Sequence, residues 1–131
     1  MKRADWLNKM WETIEAHEGR AFAWGVDDCC LFAARVYDAM HDTHHAEALS
    51  ARYHDEASAL AYIEAQGGIG PAVCEYLGEM RRTRPMRGDV VLVENAGREM
   101  LGICTGRAVA ALGQDGPVTL PKASVMGVWN G

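Results

Sequence analysis

The 131-residue chain has no apolar run approaching the ~18 residues that a membrane-spanning helix needs. Its N-terminus, Met1-Lys2-Arg3-Ala4-Asp5-Trp6, is not followed by the apolar block of a secretory signal. These two absences predict no membrane span and synthesis in the cytoplasm. A basic block is missing as well. Thirteen Lys and Arg face 18 Asp and Glu, interspersed along the chain, for a net charge of −5. Nucleic-acid binding needs a basic face, so no nucleic-acid partner is expected. The one concentration of positive charge, Arg81, Arg82, Arg84 and Arg87, follows Glu75 and Glu79 and reads as a solvated helix end or linker.

Cysteine is scarce, with four residues at 29, 30, 74 and 104. Without an export signal they are expected to stay reduced. Neighbouring Cys29 and Cys30 would leave a helix in different directions. Paired Cys-x-x-Cys and His-Glu-x-x-His spacings are absent, so no metal and no cofactor is expected. The cluster His41-x-x-His44-His45, which with Asp42, Cys29 or Cys30 would be the nearest thing to an ion site, reads as a solvated turn. Gly67-Gly68-Ile69-Gly70-Pro71 lacks a following Lys-Ser/Thr and a preceding strand. It reads as a turn between helices and not as a phosphate loop.

What is present is an ordinary globular composition, 49% hydrophobic and 24% charged, at a length that suits one domain spanning 1–131. Trp6, Leu7, Met10, Trp11 and Ile14 predict a helix over 4–18 that stops at Gly19. A second helix is predicted from about 28 to 41 on the stripe Cys29, Phe32, Ala33, Val36 and Met40. That phase turns Cys29 toward the core and Cys30 sideways. Residues 42–54 read as a loop, 55–66 as a third helix, and Pro71 opens a fourth. From Pro85 onward the texture changes to short β-type runs at 90–94, 100–105, 108–112, 117–120 and 125–129. Hairpin connections fall at Asn95-Ala96-Gly97 and Gln114-Asp115-Gly116. The fold class is therefore α+β, with N-terminal helices (about 4–80) packed on a C-terminal antiparallel sheet of about five strands (about 86–130).

The stretch Gly25-Val26-Asp27-Asp28-Cys29-Cys30-Leu31-Phe32 places a cysteine at a helix start. Unpaired N–H groups and the helix dipole favour a thiolate there, which is what a cysteine nucleophile requires. The plainer alternatives are a buried Cys29 acting as a small hydrophobe and Asp27 or Asp28 acting as a helix cap worth roughly 0.5–2 kcal/mol.

Trp24-Gly25-Val26-Asp27-Asp28-Cys29-Cys30-Leu31-Phe32 resembles the Tyr/Trp-Gly…Asp-Cys-Ser-Gly-Phe/Leu signature of the NlpC/P60 cell-wall peptidases, which have a papain-like fold. Arg87-Gly88-Asp89-Val90-Val91 resembles that family's Gly-Asp-Leu-Val strand. Met100-Leu101-Gly102-Ile103-Cys104-Thr105-Gly106 resembles its His-Val-Gly-Ile-Tyr-Leu-Gly strand. In more detail the chain resembles the compact NlpC/P60-like proteins encoded among phage tail-tip genes. The resemblance covers roughly residues 20–112. It implies that Cys29 is the nucleophile position, Asp28 the acid before it, and that Met100 occupies the position of the base. A thioether accepts no thiol proton. Cys30-Leu31 also replaces the small Ser-Gly pair of the signature. His17, His41, His44, His45 and His54 are the candidate substitute bases, with nothing in their spacing to favour any of them, and in a shifted strand register Glu99 would be a poor thiol base.

Two functions follow as expectations. The first is a structural or assembly protein of a phage tail tip or baseplate, on an inactive NlpC/P60-like fold and located in the virion tail. Its partners would be other tail-tip or hub proteins, met through the N-terminal Trp helix and the Trp129 segment. The second is an active cysteine peptidase or amidase that cuts peptidoglycan stem peptides during DNA entry, with the Cys29 N–H as oxyanion donor.

Overall fold

Five helices precede five strands in the computed structural model, which describes residues 2–130. The helices are α1 (Trp6–Ala16), α2 (Cys29–His41), α3 (His45–Ser50), α4 (Glu56–Gln66) and α5 (Ile69–Leu77). The strands are β1 (Val90–Asn95), β2 (Arg98–Cys104), β3 (Ala108–Gly113), β4 (Gly116–Pro121) and β5 (Val125–Trp129). They form one antiparallel sheet in the order β4-β3-β2-β1-β5.

Local chemistry sets most boundaries. Asp28 caps α2 by accepting from the Leu31 N–H, and Asp55 and Ser58 form a reciprocal capping box on α4. Gly67 ends α4 at φ +94°, where a Cβ would be strained. Ala96 and Gly97, both at positive φ, make the two-residue turn that joins β1 to β2. The stretch expected as a loop at 42–54 contains α3 instead. The Asp38 carboxylate, on the preceding helix, accepts from Thr43 Oγ1 (2.6 Å), the His45 N–H (2.9 Å) and the Ala46 N–H (2.8 Å). A cap delivered across seven or eight residues leaves no local signature.

The sheet buries both faces. Toward the helices, Val90, Leu92, Leu101, Ile103, Leu112 and Trp129 pack with α2 and with Met10, Ile69 and Val73. On the other face Val91, Val93, Cys104, Val109, Leu120 and Val128 pack against one another. Among the described residues that second cluster is built from strand residues alone. Trp129, expected at a surface, is 1% exposed, and its Nε1–H donates to the Gly78 carbonyl at 3.2 Å. An indole whose N–H has an internal acceptor is at home in a core. Trp11 on α1 is 41% exposed and remains a surface group. Among the described residues no helix is long and apolar enough to cross a membrane.

Candidate functional site

The corner before α2 is organised by one carboxylate. Asp28 is fully buried and accepts from three donors: the Leu31 N–H at 2.9 Å, the Gly25 N–H at 3.0 Å and the Tyr53 hydroxyl at 3.1 Å. A buried carboxylate with this many donors is strongly favoured over an unsatisfied one. Gly25 adopts φ +81°, and a Cβ there would lie 2.7 Å from the His54 backbone carbon. The 24–28 turn and the 53–54 segment are thus fastened together by a hydrogen bond and by a contact that only glycine permits. Tyr53 is the site residue that sequence reasoning missed. It lies 25 residues from Asp28, with no motif of its own.

This corner delivers Cys29 to the sheet. Cys29 and Cys30 are the first two residues of α2, and both are buried at 7% exposure. The expected sideways placement of Cys30 is therefore corrected. The two sulfurs lie 3.9 Å apart and share a thiol–thiol hydrogen bond, so the side chains do meet across the first turn. All four cysteines are free thiols. Donation from the Cys30 thiol holds the Cys29 thiol below its ordinary range. The backbone N–H of Leu101 also lowers it, while burial and the Asp28 charge oppose the shift. The Cys30 thiol is pushed up, first by giving its proton to Cys29 and then by burial.

The Leu101 contact follows from strand geometry. Cys104 uses its N–H and C=O toward Asp89 and Gly88 on the β1 side. Alternation then turns the Ile103 and Leu101 N–H groups toward β3. β3 pairs with β2 only through Ile103↔Ala110 and Cys104↔Val109. Past Ile103 the two strands part, and the thiol takes the place of a ladder acceptor at Leu101. Gly102 keeps the strands close at the fork, since a Cβ there would lie 2.6 Å from Val109 Cγ1 and 2.8 Å from the Ala110 carbonyl oxygen.

Met100, the residue expected at the base position, is thus bonded directly to the peptide group that meets the thiol. It is half-buried, packs against both core clusters, and its terminal methyl lies near Gly113. Its thioether offers no proton acceptor of useful basicity.

The histidines are engaged elsewhere. His17, at the end of α1, is buried with its Nδ1 2.8 Å from the Thr13 carbonyl and its ring edge-on to Phe32. Its Nε2 faces the Arg35 guanidinium at 3.5 Å. His41 is stacked on Tyr37 at 4.0 Å, three turns along α2 and about 18 Å of helix rise from Cys29. His45 packs edge-on against Tyr76, His44 sits at the N-cap of α3, and the exposed His54 ring reaches Asp55. The His41/His44/His45 group is spread over two helix ends. Among the described residues no three His, Cys, Asp or Glu side chains gather in ion-binding proximity.

Cys30, and not Cys29, lines a small apolar cavity of about 50 Å³ between α2, α4, α5 and the sheet, with Tyr37, Tyr53, Tyr62, Tyr76 and Leu101 among its walls. That is room for a water or two by volume, with no polar wall to hold one.

The chain matches the DUF6950 family, described as a domain of unknown function, over residues 1–130. Comparison with curated proteins and with solved structures gives no match. By the extent of the first match, which takes in nearly every residue, the chain belongs to the DUF6950 family.

Proposed function

We propose that this protein is a catalytically silent member of the NlpC/P60-like architecture that serves as a structural or assembly component of a phage tail tip or baseplate. The observation that carries the reading is the placement of the buried Cys29 in the first turn of α2, the helix that packs on β2, where Met100 lies. A cysteine at the start of a helix that packs on the sheet is the arrangement that the sequence resemblance implies. The position that the resemblance gives to the base holds a thioether in place of an imidazole. The machinery for positioning the thiol is intact, and the proton acceptor is missing.

What the corner does instead is mechanical. Asp28, Gly25 and Tyr53 tie the helical half to itself, and the two thiols fill the junction between α2 and the split strands. A protein built this way acts through its surfaces, and Trp11 on α1 supports that reading. The virion tail is the proposed location, with tail hub proteins as partners.

The test is genetic. In a phage that carries the gene, deletion is expected to block tail completion. Complementation by Cys29→Ala is expected to restore infectious particles containing the protein. Intact tails formed without the protein, or particles left non-infectious by a folded Cys29→Ala variant, would refute the proposal.

A further inference from the structure

Charge is divided unequally along this chain. Residues 1–80 hold six Lys and Arg against 14 Asp and Glu, whereas residues 81–131 hold seven against four. Of the cations in the second part, Arg81 bridges to the outer edge of β5, and Arg82 and Lys122 wall a groove beside it. That edge is one of the two open edges of the sheet.

The two edges are built differently. β4 carries Pro117 and Pro121, which cannot donate to an added strand. β5 has no proline, and its outer edge already pairs. Val128 and Arg81 exchange both backbone hydrogen bonds at 2.8 Å each. That pairing is a single bridge, and the chain then leaves the edge toward Pro85. Between the departing segment and the strand lies a groove of about 400 Å³, walled by Arg82, Thr83, Pro85, Lys122, Val125 and Met126. Met126 is an extra residue in the ladder, since Leu92 pairs with Gly127 and Val93 with Val125. Neither Arg82 nor Lys122 forms an ion pair among the described residues.

We infer that the β5 edge is a docking site for an acidic, extended segment of a partner protein, which continues the Arg81 bridge as an added strand and places its carboxylates against Arg82 and Lys122. Main-chain hydrogen bonds supply affinity in such strand addition, and side chains of the groove supply selection. The bulge and the cations also disfavour pairing with a like-charged edge, so the occupant must bring negative charge. Val125 and Met126, on the groove wall, offer apolar contact. This inference stands on the edge geometry and the charge, independently of the tail-protein reading.

The test uses the full chain and a synthetic capped hexapeptide of alternating glutamate and valine. Three probes serve as comparators: the lysine–valine counterpart, a glutamate–valine peptide N-methylated at alternate positions in each register, and a single-stranded DNA oligonucleotide. Calorimetry reads affinity, and amide hydrogen exchange reads the edge. The acidic peptide is expected to slow exchange at 125–126, next to the Val128 N–H that Arg81 already holds, and to bind at least about tenfold more tightly than the lysine and N-methylated peptides. The doubly substituted Arg82→Glu/Lys122→Glu chain, altered only at polar groove positions, is expected to lose about tenfold or more for the acidic peptide. Equal affinity for both charge types, indifference to N-methylation, unchanged exchange at 125–126, or tighter binding of the oligonucleotide would each overturn the inference.

Discussion

The Cys29 sulfur meets the backbone N–H of Leu101, at the point where β2 and β3 part. One contact therefore joins the start of the second helix to the residue that follows Met100. Position 100, which the resemblance gives to the base, is next to that residue in the chain and holds a thioether.

This geometry makes Met100→His an informative substitution. An imidazole at that position is expected to form an ion pair with Cys29 and to lower its thiol pKa further, as a neighbouring cation does. Site-resolved alkylation rates against pH, read by mass spectrometry, measure the shift. An unchanged Cys29 titration in a folded Met100→His protein would show that residue 100 is not the base position.

The Asp28 corner predicts a ranked stability series. Asp28→Ala removes the helix cap and strands the buried Tyr53 hydroxyl and Gly25 N–H, at about 2–4 kcal/mol. Asp28→Asn keeps one acceptor oxygen for Leu31 and Tyr53 but turns an NH2 against the Gly25 N–H, at about 1–3 kcal/mol. Tyr53→Phe leaves the cap in place and costs about 1 kcal/mol. Urea denaturation gives the order, and a Tyr53→Phe cost equal to that of Asp28→Ala would contradict it.

Gly25→Ala tests the junction between the two segments. The left-handed φ and the 2.7 Å approach to the His54 backbone leave no room for a methyl group. A loss of about 2–4 kcal/mol is expected from backbone strain and overpacking together. Gly19→Ala is the control, because nothing lies within 4 Å of a Cβ built there. Similar melting midpoints for the two variants would refute the packing argument.

Much of this architecture was legible in the sequence, and what was hidden has physical causes. Apolar periodicity located α1, α2, α4 and α5, and the alternating runs after Pro85 located the strands. α3 was illegible because its cap, Asp38, lies in the previous helix. Trp129 resembled an interface residue because the acceptor for its N–H, the Gly78 carbonyl, is 51 residues distant. At the site, Asp28 and Cys29 were readable as the cap and first residue of α2. Tyr53 was not, and neither was the inward turn of Cys30, since the helical stripe alone gives one buried face and α2 is packed by α1, the sheet and the later helices together.

Acid should weaken the fold through His17. Burial holds the His17 pKa below its ordinary value, and the nearby Arg20 and Arg35 add to the effect. Burial shifts His41 in the same direction. Below the unfolded value of about 6.5 the unfolded chain therefore takes up protons that the folded chain refuses. The stability from keeping His17 neutral is fully present above that pH and is lost as pH falls toward the folded value. Melting temperatures between about pH 7 and pH 5 are expected to fall less steeply in His17→Gln than in the unaltered protein. Identical slopes would contradict the assignment.

The central claim is that the thiol corner is retained as structure without chemistry. Its most direct test is the release of stem-peptide fragments from purified peptidoglycan sacculi by the full-length protein and by Cys29→Ala, followed by mass spectrometry. The account predicts that neither protein releases fragments above the no-protein control. Cleavage by the unaltered chain that Cys29→Ala abolishes would contradict it.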